Sequence, residues 1–449
     1  MKRGFKLRKR MFVLGVLSII LIGFFIAVSL NQNEEVVENE ERETVELSFW
    51  RNAGNAPINN AFEEIVRVFE SENPSIKINT IEMDGSQDYE LRLRAELASG
   101  NHPDIMTIDS PNLALYANAG ELLSLDEYMK EEGNIDDILE GSLNGMVFRE
   151  EIYLAPFVDS SIALYYNKNL FRQAGIPFPS KDPEEPLTWD EVLTIAQTIN
   201  DPDNGIHGID IAQGFGSGEG PAYFKLPLLW QFGADVISPD GTTAKGHLNS
   251  EAALGALQFY QDLYQKHQVS TLILPDLALE TDKLAMTVLG SWHLAQLESV
   301  PGFDFEEDFG IAPLPKGDYQ VTPNGGWAMG ISSRTDYPDE AWEFVKFLTS
   351  NEGSRIYFEH TGDIPARYSV AEQIPELNEY PYNIFVQQGQ KYSRNRPVTP
   401  AYATVSETIK ILFEEVGIAG RDVKEAADDA VLKIDKVLKT HENTGNDKN

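Results

Sequence analysis

The amino-acid sequence predicts the α/β class, with strands and helices alternating into a parallel, doubly wound sheet. Two observations carry this expectation. From Val45 onward, short segments of period two alternate with longer stretches whose apolar residues recur every three or four positions. Gly, Asn-Pro and Ser-Pro steps punctuate the boundaries between them. The 449 residues, 42% hydrophobic, also supply material for roughly two or three domains of ~150 residues.

The elements follow in order. "VELSFW" reads as a strand. "APINNAFEEIVRVFESENP" places Phe62, Ile65, Val66 and Phe69 on one helical face and stops at Asn73-Pro74. "SIKINTIEM" is a second strand, and "SQDYELRLRAELASG" a helix closed by Gly100. "PDIMTID" is a third strand. The helix after it has Ser110 as N-cap and Pro111 at its first position. "IYLAPFVDSSIALYYNKNLFRQAGI" gives a strand, a break at Asp159-Ser160-Ser161, a second strand and an amphipathic helix. "PLTWDEV" opens a helix with a Thr188/Glu191 capping box. "DPDNGIHGIDI" reads as a turn into a strand, because its glycine and acids miss calcium-loop spacing. "GFGSGEG" at 214–220 is a loop, read as lying beside a ligand rather than as plain surface. "ISPDGTTAKGHLNSEAAL" reads as an Asp-Gly hairpin followed by a helix capped by Asn249 or Ser250. "KLAMTVLGSWHL" is a buried strand broken at Gly290. The C-terminal third is helical, and 441–449 reads as a disordered tail.

Charge and cysteine content exclude several classes. The chain has 71 acids and 36 bases. Residues 1–30 hold six of the bases and no acid, leaving 30 bases against 71 acids, a formal charge of −41. Such a surface repels nucleic acid and anionic lipid. With no cysteine there is no disulfide, thiolate metal site, thiol nucleophile or lipidated cysteine. The N-terminus is basic ("MKRGFKLRKR"), then uncharged for 20 residues, then acidic from 31 to 44. That order is an export signature, and ~20 apolar residues suffice to cross a bilayer. We read 1–30 as a retained anchor in preference to a signal cleaved after Ser29, and 31–44 as an acidic spacer. The folded part is then expected on the extracellular face of the cytoplasmic membrane.

Signatures of catalysis are sparse. The seven His show no metal-ligand spacing, no Gly-x-Ser-x-Gly elbow is present, and no metal or other cofactor is expected. With 71 acids, a glycosidase-like carboxylate pair carries no information. The strand ends say more. The first strand ends in Trp50-Arg51-Asn52, the second is followed by Asp84, and the third ends in Asp109. Ligands of open α/β sheets bind outside the carboxyl ends of the strands. The competing reading makes Asp84 and Asp109 helix caps. Trp292, after "LGS", and Trp327, in "TPNGGWAMGIS", also sit at strand ends beside small residues. Trp342 reads as core and Trp189 as helix-start packing, and Trp230 fits either core or site. An indole face matches the C–H face of a pyranose, while Asp, Asn or Arg hydrogen-bond its hydroxyls. The set therefore favours a neutral polyhydroxylated ligand, with a peptide or amino acid as competitor.

These residues bring a resemblance with them. "ALYYNKNLFRQAGI", "PLTWDEV", "AMTVLGSW", "PLPKG" followed by "GGWAMGI", and "DEAWEFVKFLTSNEGSRIYFEHTGDIPARYSV" occur in that order. Over Val45 to Lys439 the chain resembles the extracellular solute-binding proteins of carbohydrate ABC transporters, the maltose-binding-protein-like group. The resemblance implies two α/β lobes joined by a hinge crossed three times, near 157–162, near 322–324 and around 374–380. It implies an N-terminal lobe from 45–157 and 324–373, and a C-terminal lobe from 158–323 and 374–440. It further implies a non-enzymatic monomer that closes on a mono- or oligosaccharide and docks on the transmembrane subunits of an ABC permease. Gram-positive members usually carry a lipobox cysteine, which this chain lacks. Trp292, Trp327 with Gly326 before it, and Arg367 fall where the family lines its sugar site. Together with Trp50, Arg51, Asp84, Asp109, Asp159 and Trp230 they form the expected ligand-binding set. The alternatives are the same fold with a non-sugar solute, and a carbohydrate-active enzyme.

Overall fold

The computed structural model describes residues 44–83, 86–211, 218–298 and 305–446. The chain from Val45 builds β1 (Val45–Asn52), α1 (Ala56–Glu72), β2 (Ile76–Met83), α2 (Ser86–Ser99) and β3 (Ile105–Asp109). Next come the short strands β4 (Leu154–Pro156) and β5 (Val158–Asp159), then β6 (Ile162–Asn167) and β7 (His207–Asp210). They are followed by α3 (Gly220–Gln231), α4 (Glu251–Gln265), β8 (Leu284–Gly290), β9 (Phe309–Ala312), β10 (Thr322–Asn324) and β11 (Trp327–Ile331). The last third contains α5 (Pro338–Leu348), α6 (Asn351–Thr361), β12 (Ile364–Pro365), α7 (Tyr368–Gln373), α8 (Tyr382–Tyr392), β13 (Ser393–Asn395), α9 (Tyr402–Phe413) and α10 (Val423–Asn446).

Two sheets form. One has the order β2-β1-β3-β11-β4, the other β9-β6-β8-β7. The first is parallel across β2-β1-β3, but β11 runs antiparallel to both β3 and β4. In the second, only β8 and β7 are parallel. The parallel pairing expected from the strand–helix alternation holds across β2-β1-β3 and between β8 and β7, and the remaining pairs of the two sheets are antiparallel. Strands that enter a lobe from a hinge arrive without a helical crossover, so nothing forces them to run with their neighbours.

Each sheet has its own apolar core. Leu47, Phe49, Ile65, Ile108, Met329 and Trp342 belong to the first. Leu164, Phe171, Trp189, Leu229, Met286 and Ile409 belong to the second. The first core draws on 47–158 and 328–357, the second on 162–314 and 401–438. Short paired strands run between them. β10 pairs with β13, and β5 with β12. A third core joins Tyr165 and Ile311 to Ile364, Leu377 and Phe385, around the turn Pro375–Asn378.

Local chemistry explains the fit in most places. The Thr188/Glu191 capping box forms, Ser250 caps α4, and Gly120 and Gly175 end helices in the left-handed region. Three expectations fail. Ser110 is not a cap, because Ser110–Asn112 is a single 3₁₀ turn whose N-cap position falls to Asp109. The Asp-Gly hairpin near 240 is absent. There Ser238 and Asp240 capture the Thr242 N–H at 3.1 and 3.2 Å, and Asp435 takes the Ala244 N–H at 2.6 Å, so the backbone groups a ladder needs are spent. The tail expected from 441 continues α10 as far as Asn446. Among the described residues no helix is long and apolar enough to cross a membrane. The basic, apolar and acidic segments before 44 lie outside the described residues, as do 212–217 of the glycine-rich loop.

Candidate functional site

The carboxyl ends of β1 and β3 and the amino end of β11 share one edge of the first sheet. Trp327 stands opposite Asp109 in the antiparallel register, and the Ser110 N–H donates to the Gly326 carbonyl at 3.1 Å. The Trp327 indole is half-buried and meets the Tyr89 ring edge-on, with centroids 5.9 Å apart. Tyr89 is itself fixed by its hydroxyl, which donates to the Thr107 carbonyl at 2.7 Å. Gly325 and Gly326 lead into Trp327 with φ of 122° and 154°, a region that favours glycine. A Cβ on Gly325 would lie 2.7 Å from Arg396 Nη2, and one on Gly326 would lie 3.0 Å from Val158. The two glycines thus let the crossing strand pass close to Arg396 and to the neighbouring crossing.

Arg396 holds this edge to the second lobe. Its guanidinium donates to Asp109 through Nη2 at 2.7 Å and Nη1 at 3.2 Å, and to Glu219 through Nη1 at 2.9 Å. Asp109 belongs to the first sheet. Glu219 precedes α3 of the second lobe, and Arg396 follows the crossing strand β13. Tyr402 and Ser406 of α9 also donate to Glu219. Burial pushes the Glu219 carboxyl up, and the charge of Arg396 opposes this. The same guanidinium lies over the Tyr223 ring, 5.2 Å from its centroid. Tyr223 in turn sits 6.3 Å from the half-buried Trp292, centroid to centroid. A Cβ on Gly290 would overlap the Trp292 ring, so only glycine lets the indole fold back there. Contacts therefore run from one half-exposed indole to the other, through Tyr223, Arg396 and Asp109.

Unsatisfied polar atoms gather at the same edge. Asn52 Oδ1, at the end of β1, is buried without a partner. So is Glu90 Oε1, while Oε2 accepts from the Tyr116 hydroxyl at 2.5 Å. Burial raises the Glu90 carboxyl to about 7. Buried polar groups left unpaired cost about 1–3 kcal/mol each, so ligand hydroxyls that reach them would be bound with profit.

The expected set divides under these observations. Asp109, Trp292, Gly326 and Trp327 come together around Arg396. Asp109 makes no capping bond, so its strand-end carboxylate serves the ion pair instead. Asp84 lies outside the described residues. The other five, of which Trp50 and Arg51 were expected from a strand end, are buried elsewhere. Trp50 is 5% exposed and packs in the first core. Arg51 is fully buried under β1, over the Phe62 ring at 4.8 Å, and is paired with Asn59 at 2.8 Å and with Glu82. Trp230 is 3% exposed in the second core, with the Arg394 guanidinium 5.2 Å from its ring. Arg367 spends its guanidinium on the Gly133 and Asn134 carbonyls at 2.9 and 3.3 Å and on Thr349. Asp159 is buried in the hinge, accepting from Ser142 Oγ at 3.2 Å, and burial raises it to about 6. Arg396, Glu219, Tyr223 and Glu90 were missed. Glu219 falls in the glycine-rich stretch 214–220 read as lying beside a ligand, but the residue was not singled out; the other three sit in runs without distinctive spacing, and only proximity in space joins them.

Two α/β cores strung on short crossing strands, with a charged bridge and two indoles where they meet, define a two-lobed binding protein. A family model described as bacterial extracellular solute-binding protein matches residues 53–355, more than half of the chain. The chain belongs to that family. A maltotriose-binding protein of Pyrococcus abyssi is 25% identical over 359 residues, covering 77% of this chain and 72% of its own. Among solved structures, an ABC transporter solute-binding protein from Thermotoga lettingae, bound with alpha-D-tagatose, superposes with a TM-score of 0.77 at 24% identity. That match covers 88% of this chain and 100% of that one. A cyclic alpha-maltosyl-1,6-maltose binding protein from Arthrobacter globiformis superposes with a TM-score of 0.74 at 25% identity, over 88% of this chain and 100% of its own.

Proposed function

We propose that this protein captures a mono- or oligosaccharide between its lobes and delivers it to the transmembrane subunits of an ABC importer, without chemistry of its own. One observation carries the reading. Two half-buried indoles, Trp292 and Trp327, come from different lobes and are linked through Tyr223, Arg396 and Asp109. Sugar rings stack on indoles, and the orphaned Asn52 Oδ1 and Glu90 Oε1 supply partners for hydroxyls. The named ligands of the similar proteins, maltotriose, tagatose and a cyclic maltosyl-maltose, support the same class. Closure of such folds around ligand is a hinge motion, and the glycine pair before Trp327 lies on a crossing. The protein acts as a monomer outside the cytoplasmic membrane, held by its apolar N-terminal segment.

A thermal-shift screen with maltose, maltotriose and tagatose tests this. A ligand at 100 times its Kd stabilises by about 2.7 kcal/mol. No shift with any neutral sugar, together with a shift for amino acids or phosphorylated polyols, would move the protein to another solute class. Release of shorter sugars on incubation with maltotriose would make it an enzyme.

A further inference from the structure

A cavity lies away from the indoles, between α7 and α8, and encloses about 280 Å³. We propose that this groove is a separate binding site for one neutral, hydroxylated ring of monosaccharide size. Its wall on α8 is a stripe of carboxamides. Asn383, Gln387 and Gln390 follow at i, i+4 and i+7, so they project from one helix face. The opposite face carries Phe385 and Gln388, which fasten α8 to the first crossing. There Ser161 Oγ donates to the Phe385 carbonyl at 2.9 Å, and Gln388 donates to the Ile162 carbonyl at 3.2 Å. The groove therefore lies on the other face of α8 from the first crossing, with Leu377 of the segment 374–380 in its lining.

The three carboxamides make no side-chain hydrogen bond to another described residue, and Asn383 Oδ1 is buried without any partner. A carboxamide both donates and accepts, and the Glu372 carboxylate, which also lines the groove, accepts, so the wall offers partners for hydroxyls. The apolar part of the lining comes from Ala371, Leu377 and Val386, and Tyr368, 37% exposed, adds an aromatic ring. An aromatic ring, an apolar lining and a polar wall suit a ring with one C–H face and hydroxyls at its edge. The volume is at the lower end of small-molecule sites, which limits the occupant to a single ring. Both walls are preformed. α7 is held by Asp137, which accepts from the Ser369 N–H at 2.8 Å and from its hydroxyl at 2.7 Å. A preformed groove avoids much of the ordering cost of binding.

The test is saturation-transfer NMR of D-glucose with the full-length protein. Transfer to glucose should persist in Trp327→Ala. Made in the Trp327→Ala background, so that the indole site does not contribute, the double variant Gln387→Leu/Gln390→Leu should lower it at least fivefold, since one lost hydrogen bond of about 1.4 kcal/mol gives tenfold. Both glutamines lie on the outer helix face, and an unchanged melting temperature confirms that the double variant folds. If it melts early, Tyr368→Ala takes its place with the same expectation. Full glucose transfer in a folded groove variant, or none in the wild type, overturns the proposal. Loss of maltotriose binding in Trp327→Ala with retained glucose transfer leaves the groove standing, and failure of the indole site alone does not touch it.

Discussion

Replacing Arg396 with Met should be among the most damaging single changes away from the apolar cores. The guanidinium side chain is 3% exposed, and its partners Asp109 and Glu219 are 15% and 20% exposed. Met keeps the aliphatic stem and removes the charge. Two partly buried carboxylates then face one another without a cation. Breaking a buried pair by deleting one partner costs about 3–5 kcal/mol, most of it from the abandoned charge. The wild-type Glu219 carboxyl is already raised by burial, and without Arg396 it rises further. A carboxyl whose folded pKa lies above its unfolded value adds stability at low pH and loses it as pH rises through the folded pKa. The Arg396→Met deficit should therefore be largest at pH 7 and shrink towards pH 5. Adding Glu219→Gln should recover at least about 1 kcal/mol, because the two sites share one network. Urea denaturation followed by tryptophan fluorescence at pH 5 and pH 7 reads both effects. A deficit below about 1 kcal/mol at pH 7, with no recovery in the double variant, would refute the view that Arg396 ties the lobes together.

Three further outcomes are expected. Trp327→Ala and Trp292→Ala should each weaken maltotriose binding by about 1–3 kcal/mol, by analogy with base stacking on aromatics, and leave the melting temperature of the unliganded protein nearly unchanged. Calorimetry beside thermal melts separates the two, and early unfolding without ligand would make either indole a core residue. Asp159 is raised from 3.8 to about 6 by burial, so its contribution to stability is present below about pH 4 and lost as pH rises through about 6. Asp159→Asn should flatten that part of the stability–pH profile and stabilise the protein at pH 7 by up to about 3 kcal/mol, and an unchanged slope from pH 4 to 7 would refute it. Gly326→Ala must hold φ near 154° with Val158 3.0 Å from the new methyl, which costs about 1–3 kcal/mol, and wild-type stability in urea would show that the crossing can relax.

Much of this protein is determined locally. Period-two and helical-period segments place β1, α1, β2, α2 and β3, and the capping box and the left-handed glycines mark helix ends, because each depends on residues a few positions apart. Asp109, Trp292 and Trp327 could be named as site candidates because a strand end is a sequence feature, but Trp327 begins its strand and reaches the carboxyl end of β3 only because β11 runs antiparallel to it. Burial was not legible in the same way. Trp50 and Arg51 occupy the same kind of strand end, yet Arg51 is covered by α1 through Phe62 and Asn59 and Trp50 is buried in the first core. The resemblance placed both Arg367 and Trp327 at the site, but carbonyls from two other segments consume the guanidinium while the indole stays half-open. Only the tertiary structure brings Arg396 to Asp109, 287 positions earlier, and to Glu219, 177 positions earlier. An ion pair depends on distance in space, and no periodicity along a chain encodes which distant charges a hinge will bring within reach.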